Sequence, residues 1–146
     1  MRDAISRELA ALPRTYYGLV HYDFEPDNVF YDAETNSCAV IDFDDGMYHW
    51  YALDIEQVFA SLAEELSGDS LEAAERAFLD GYRTQHAYTA EMDALRPLMR
   101  RFINLYTYAR LTRSIAETFD DEPEWLTGLR VKLGSILTSI ETGIRS

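Results

Sequence analysis

The 146-residue sequence predicts an α+β fold, mostly helical, with a small β-hairpin unit set on a helical body. Two observations predict it. Between Tyr17 and Phe43 the chain is cut into short apolar runs, rich in β-branched and aromatic residues and separated by turn-formers. After Tyr51, apolar residues recur at helical spacing. The length suits a single domain over 1–146, with a leading helix (1–16), a loop-and-hairpin region (17–51) and a helical subdomain (52–146).

The leading helix follows from Ile5, Leu9 and Leu12, spaced by four and three, with Pro13 as its stop. The extended runs are Gly18-Leu19-Val20, Val29-Phe30-Tyr31 and Cys38-Ala39-Val40-Ile41. Asp32-Ala33-Glu34-Thr35-Asn36-Ser37 is a polar connector of hairpin length. A helix over about residues 52–66 carries Leu53, Val58, Phe59 and Leu62. Gly68-Asp69-Ser70 breaks and caps, and a second helix runs through Leu71, Ala74, Phe78 and Tyr82. Thr89 opens a longer helical stretch to about Phe119, which Pro97 is expected to kink or restart. Asp121-Glu122-Pro123 begins a last helix, with Gly143 as its expected stop.

Composition narrows the function classes. The net charge is −13, which argues against nucleic acid as a ligand, because that affinity rests on clustered Lys and Arg. Such a balance suits a cationic substrate or metal ions, and serves equally to keep a protein soluble. The acidic stretch Asp120-Asp121-Glu122-Pro123-Glu124 reads as a solvated helix start. Cys38 is the only cysteine, so no intrachain disulfide forms and no thiolate cluster is offered to zinc. Arg7 and Glu8 interrupt any signal-peptide core, and no apolar run approaches the ~20 residues of a membrane span. A cytoplasmic location, with no membrane partner, is the expectation.

The chemistry lies between His21 and Asp44. His21-Tyr22-Asp23-Phe24-Glu25-Pro26-Asp27-Asn28 fits H-x-D-x-x-x-x-N, and Asp42-Phe43-Asp44 follows the next apolar run. Phosphoryl transfer to an alcohol needs a carboxylate to take or orient the hydroxyl proton and oxygen ligands to hold Mg²⁺ against the nucleotide phosphates. An Asp, an Asn and a second Asp supply those parts. A hairpin closed at residue 35 sets Asn28 and Asp42 opposite each other at its open end. Strands lie about 4.7–4.9 Å apart and Mg–oxygen distances are about 2.0–2.1 Å, so two facing side-chain oxygens can share one ion. Asp23 lies on the loop entering the hairpin, placed to face a hydroxyl. His21 reads as a loop-bracing hydrogen-bonder rather than a proton shuttle. The cluster Tyr48-His49-Trp50-Tyr51 reads as packing between hairpin and helices.

LVHYDFEPDNVFYD followed by AVIDFDDGMYHWYALDIEQ resembles the catalytic core of the aminoglycoside phosphotransferase and choline kinase-like group, distant relatives of protein kinases. The resemblance covers residues 17–58. It implies a protein-kinase-like C-terminal lobe, with a catalytic-loop hairpin followed by a helical subdomain. It implies Asp23 as catalytic base, Asn28 and Asp42 as magnesium ligands, Asp44 as an aid to the metal, and His21 and Asp54 as structural support of the loop. It further implies Mg²⁺, ATP or GTP as phosphoryl donor, and a small-molecule hydroxyl as acceptor. Against the group's usual H-G-D-L-H-P-x-N, Tyr22 replaces the glycine and Glu25 the second histidine, which is expected to alter substrate contacts.

A complete kinase also has a phosphate-covering loop and a lysine that pairs with the α/β-phosphates. These residues include no G-x-G-x-x-G, and the only lysine is Lys132, in the last helix. The expectation is a C-terminal lobe alone, with weak or absent turnover, whose partner is a separate N-terminal lobe or a second copy. The alternative is a non-catalytic kinase-like lobe serving as a binding or dimerisation module. A remoter one is a haloacid dehalogenase-like phosphatase, because Val40-Ile41-Asp42-Phe43-Asp44 resembles that family's first motif. An EF-hand is excluded, since D-F-D-D-G lacks the loop's glycine at the required offset.

Overall fold

The computed structural model describes residues 2–116 and 123–145. In order these form α1 (Arg2–Ala10), β1 (Tyr17–Val20), β2 (Val29–Asp32), β3 (Ser37–Val40), β4 (Met47–Trp50), α2 (Ala52–Glu65), α3 (Gly68–Arg83), α4 (Ala90–Ala116) and α5 (Glu124–Arg145). They fall into two compact units. One holds residues 9–100, and the other holds 1–8 together with 101–146. The mostly helical α+β architecture is the one expected from sequence.

In the unit of residues 9–100, two antiparallel strand pairs carry the loops of interest. β2 pairs with β3 from Val29↔Val40 to Asp32↔Ser37. Their turn is closed by Asp32, whose Oδ1 accepts the Glu34 amide at 2.9 Å and whose Oδ2 accepts the Thr35 hydroxyl at 2.7 Å. Asn36 supplies the left-handed residue the turn needs, with φ 51. β1 pairs with β4 from Tyr17↔Trp50 to Val20↔Met47. The aromatic cluster at 48–51 is therefore largely a strand, which its mixed polar and aromatic pattern does not announce. His49 and Trp50 are buried, and Trp50 Nε1 donates to the Pro13 carbonyl at 2.9 Å. Gly18 is required opposite them, since a Cβ there would run into the Tyr51 ring.

Helix α2 is the centre of this unit. Ala52, Leu53, Ile55 and Phe59 are buried, and Ile55, Phe59 and Met92 form a core against Tyr51, Phe78 and Tyr82. Glu56 is fully buried yet ionically satisfied: its carboxylate accepts Arg96 Nε at 2.9 Å and Arg100 Nε at 2.5 Å. Arg96 also lies over the Phe59 ring, 4.2 Å from its centre. These contacts tie α2 to the first turns of α4.

Three boundaries differ from expectation. α3 begins at Gly68 itself, because φ +57 at that glycine turns the extended Ser67 into the helix. Of the kink or restart expected at Pro97, the restart does not occur: α4 continues through it, and the buried Met92 and Met99 and the Arg96–Glu56 contact hold the turns on either side. α5 runs through Gly143 to Arg145 rather than stopping there. The expected helix end at 117–119 and the acidic stretch 120–122 lie outside the described residues.

In the other unit, Arg101 makes a two-pronged contact to Glu8 at 2.8 and 3.0 Å. Tyr108 donates to Glu141 at 2.8 Å, and Phe102 stacks on Tyr106. Among the described residues, no helix is long and apolar enough to cross a membrane.

Burial depresses His49 from 6.5 to about 4. Neutral His49 therefore favours folding above pH 6.5, and that contribution disappears as pH falls toward 4. Denaturant titrations at pH 7 and pH 4 are expected to show wild type losing up to about 3 kcal/mol more than His49→Phe.

Candidate active site

The site is built where the β1–α2 frame meets the hairpin. After Val20 the chain leaves β1 and is held by α2: Asp54 Oδ2 accepts the His21 amide at 2.8 Å, and Oδ1 accepts the Tyr22 amide at 2.9 Å. Burial pushes the Asp54 carboxyl above its usual range, and the two N–H donors only partly counter that. Gln57, one turn further along α2, donates from Nε2 to the Tyr22 carbonyl. Tyr22 is left-handed, with φ 68. That conformation is uncommon for a residue with a side chain and clusters at functional sites.

His21 is buried with both ring nitrogens committed to backbone. Nε2 lies 2.8 Å from the Ile41 carbonyl, and Nδ1 accepts the Asp23 amide at 3.3 Å. These two bonds assign the Nε2–H tautomer and leave no nitrogen for proton transfer. The ring also packs 4.4 Å from Phe43, so it ties the loop after β1 to the chain that follows β3.

Asp23 and Asn28 meet directly. Asn28 Nδ2 donates to the Asp23 carbonyl at 2.8 Å and to its Oδ2 at 3.1 Å. The intervening loop is closed by Glu25 N–H to Asp23 O and Asn28 N–H to Glu25 O, each at 3.0 Å. With its amide nitrogen spent on Asp23, Asn28 keeps Oδ1 as a remaining acceptor. Partial burial raises the Glu25 carboxyl, reinforced by Asp23, Glu64 and Asp27.

The hairpin register is one residue away from the symmetric pairing expected from sequence. Asn28 faces Ile41, whose amide donates to the Asn28 carbonyl at 3.0 Å, and Asp42 lies one step beyond. The expected facing pair is thus corrected: the hairpin closes midway between Glu34 and Thr35, not on Thr35. Asp42 is left-handed, with φ 62, and leaves the strand at that point. Asp42 and Asp44 are exposed, and the turn that contains Asp44 is closed by Gly46 N–H to Phe43 O at 2.9 Å. A Cβ on Gly46 would lie 3.0 Å from that oxygen.

Among the described residues, no three His, Cys, Asp or Glu side chains gather as a cation cage. The oxygens that Asn28, Asp42 and Asp44 offer are instead one amide oxygen and two exposed carboxylates. That set fits Mg²⁺, which keeps several waters and is bound through one or two carboxylates plus substrate phosphates.

A cavity of about 810 Å³ opens behind the loop, between β1, β3 and α3. His21, Phe24, Phe43, Asp54, Phe78 and Tyr82 are among its walls, which are mostly apolar. Asp23, Asn28 and Asp42 are not among its lining residues, while His21 and Phe24 beside Asp23 and Phe43 beside Asp42 are.

A family model described as the phosphotransferase enzyme family matches residues 1–98. The chain belongs to this family. Among curated proteins it is similar to homoserine kinases of Sinorhizobium fredii (30% identity, over 99% of this chain and 48% of that one) and Sinorhizobium medicae (31%, 99% and 48%). A homoserine kinase of a Caulobacter species is 34% identical over 58% of this chain and 26% of its own length. The chain thus spans about half the length of the first two. Among solved structures, an amicoumacin kinase in complex with AMP-PNP, Ca²⁺ and Ami has the same fold, with a TM-score of 0.62 at 22% identity, over 94% of this chain and 43% of that one. The kinase-like fold stands, and the phosphatase alternative falls: Asp42 follows the return strand of an antiparallel hairpin rather than a strand of a parallel sheet.

Two contributors escaped the sequence reading. Gln57 carries no motif, although its spacing of three from Asp54 on one helix face was available as a signal. β4 was hidden by its polar and aromatic mixture. For Asp54, replacement by Ala is expected to cost about 3 kcal/mol, and by Asn, which keeps one acceptor, about half that. Unfolding titrations check the totals, and amide exchange should rise first at His21 and Tyr22.

Proposed function

We propose that this chain carries the catalytic base and the metal-holding residues of a kinase that transfers a phosphoryl group from ATP or GTP to the hydroxyl of a small molecule. The Asp23–Asn28 contact carries the reading. One amide pins the carboxylate of the base and keeps its own oxygen as an acceptor, on the residue that pairs with Ile41 just before Asp42 leaves the strand. Membership of the phosphotransferase family supports it.

In this reading Asp23 accepts the hydroxyl proton of the acceptor as its oxygen attacks the terminal phosphorus in line with the leaving diphosphate. Asn28 holds the Asp23 carboxylate in one orientation, and His21, Asp54 and Gln57 fix the backbone from which it projects. Asn28 and Asp42, aided by Asp44, would hold Mg²⁺, which when bound neutralises charge on the nucleotide phosphates. The curated relatives are homoserine kinases, so a small amino alcohol of the homoserine type is the first acceptor to assay. Nucleotide-contacting elements found in whole kinases, a glycine-rich loop and a paired lysine, are expected from the part of the relatives' length that this chain does not match. Turnover by these 146 residues alone is expected to be weak.

A second reading, a non-catalytic binding or dimerisation module, draws on one observation. Phe30, Tyr31, Ile41 and Phe43 on and beside the hairpin are exposed apolar side chains close together in the chain. Light scattering tests it, since a strict monomer argues against dimerisation through this face.

Two measurements test the main reading. Mn²⁺ titration with AMP-PNP, followed by electron paramagnetic resonance, should show binding weakened about tenfold or more by Asn28→Ala and by Asp42→Asn. Absence of any Mn²⁺ response at millimolar concentration in wild type overturns the metal roles. Phosphorylation of homoserine, at whatever rate the chain supports, should fall about 10²–10⁴-fold in Asp23→Asn. An unchanged rate overturns the base assignment.

A further inference from the structure

We infer that Gln57 is a positioning residue for the catalytic loop: together with Asp54 it clamps the left-handed Tyr22 and so sets the direction in which Asp23 projects. The inference rests on the role proposed above for Asp23.

Both backbone polar groups of Tyr22 end on side chains of one helix. Its amide goes to Asp54 Oδ1 at 2.9 Å, and its carbonyl accepts Gln57 Nε2. The two side chains are three residues apart and so share a face of α2. The φ and ψ of Tyr22 lie between these two anchors, and a return to the right-handed region preferred by a residue with a Cβ would break at least one of them. The Tyr22 carbonyl belongs to the same planar peptide as the Asp23 amide. Holding that oxygen therefore holds the plane from which Asp23 departs, with the Asp23 amide resting on His21 Nδ1 at its other edge.

A packing role does not account for the amide. Gln57 is buried, and its Oε1 has no hydrogen-bond partner. An orphaned buried acceptor is destabilising, and an apolar side chain of similar length would fill the space without it. What the amide adds is the Nε2 donor. The helix that presents it is itself fixed, by the buried Ile55 and Phe59 and by the grip of Arg96 and Arg100 on Glu56.

The test compares wild type, Gln57→Leu and Gln57→Glu by residue-resolved amide hydrogen exchange on the full chain. Each variant is taken as a ratio to wild type at the same pH, so that the intrinsic pH dependence of amide exchange cancels. At pH 7.5 both variants should speed exchange at Asp23 by about tenfold, with Phe59 and Met92 within about twofold of wild type. At pH 5.5 the buried carboxyl of Gln57→Glu is protonated and can donate again, so its Asp23 ratio should return to within about threefold of wild type while that of Gln57→Leu does not. Three results overturn the inference: Asp23 exchange unchanged in Gln57→Leu, equal acceleration at Phe59 and Met92, or no recovery of Gln57→Glu at pH 5.5. Should Gln57→Leu fail to fold, the pH response of Gln57→Glu decides. If the exchange pattern appears but homoserine phosphorylation is indifferent to Asp23→Asn, the positioning holds and the base assignment is what fails.

Discussion

The bond pair from Asp54 to the His21 and Tyr22 amides is the constraint on which the site depends. A loop between strands ordinarily satisfies its backbone through water or local turns and is correspondingly mobile. Here two consecutive amides are taken up by a carboxylate that sits on a buried helix, at the cost of desolvating that carboxylate. The geometry of the loop therefore becomes the geometry of α2. That helix is immobilised in turn by an apolar core on Ile55 and Phe59 and by a buried carboxylate, Glu56, held by two arginines of α4.

From that anchor the rest of the site follows by short links. Tyr22 is forced left-handed between Asp54 and Gln57, and Asp42 is left-handed where it leaves β3. His21 spans the two, with one ring nitrogen on the Asp23 amide and the other on the Ile41 carbonyl. Asn28 closes the loop onto Asp23. At Tyr22 a backbone turn that glycine would make more readily is made by a residue whose neighbours over-determine it. Such over-determination keeps an acid at a fixed place, which is the requirement when catalysis is mainly positioning and charge stabilisation.

Family membership and fold agree with this construction, while the length relationship divides the chemistry. The residues that would take a proton and hold a cation are all within the matched half of the curated relatives. Of the exposed apolar side chains on and beside the hairpin, Phe43 also lines the large cavity, together with His21 and Asp54, which hold the loop.

Much of this was legible in the residues. Short apolar runs between turn-formers placed the hairpin, and period-3.6 stripes the helices, to within a few residues, because turn chemistry and the apolar face of a helix are local properties of sequence. H-x-D-x-x-x-x-N and the acids after Ile41 marked the candidate site, since a short loop between strands leaves few places for those side chains to go. Tertiary structure alone decided what their surroundings do. The register put Ile41, not Asp42, opposite Asn28, because a hairpin's closure depends on the turn that Asp32 and Asn36 make rather than on symmetry about its midpoint. It made β4 a strand through pairing with β1, although its own pattern is ambiguous. It carried α4 through Pro97 by packing that outweighs a lost backbone bond. And it brought Gln57, more than thirty residues away in the chain, onto the carbonyl of Tyr22, a contact no local pattern records because it exists only when helix and loop are folded together.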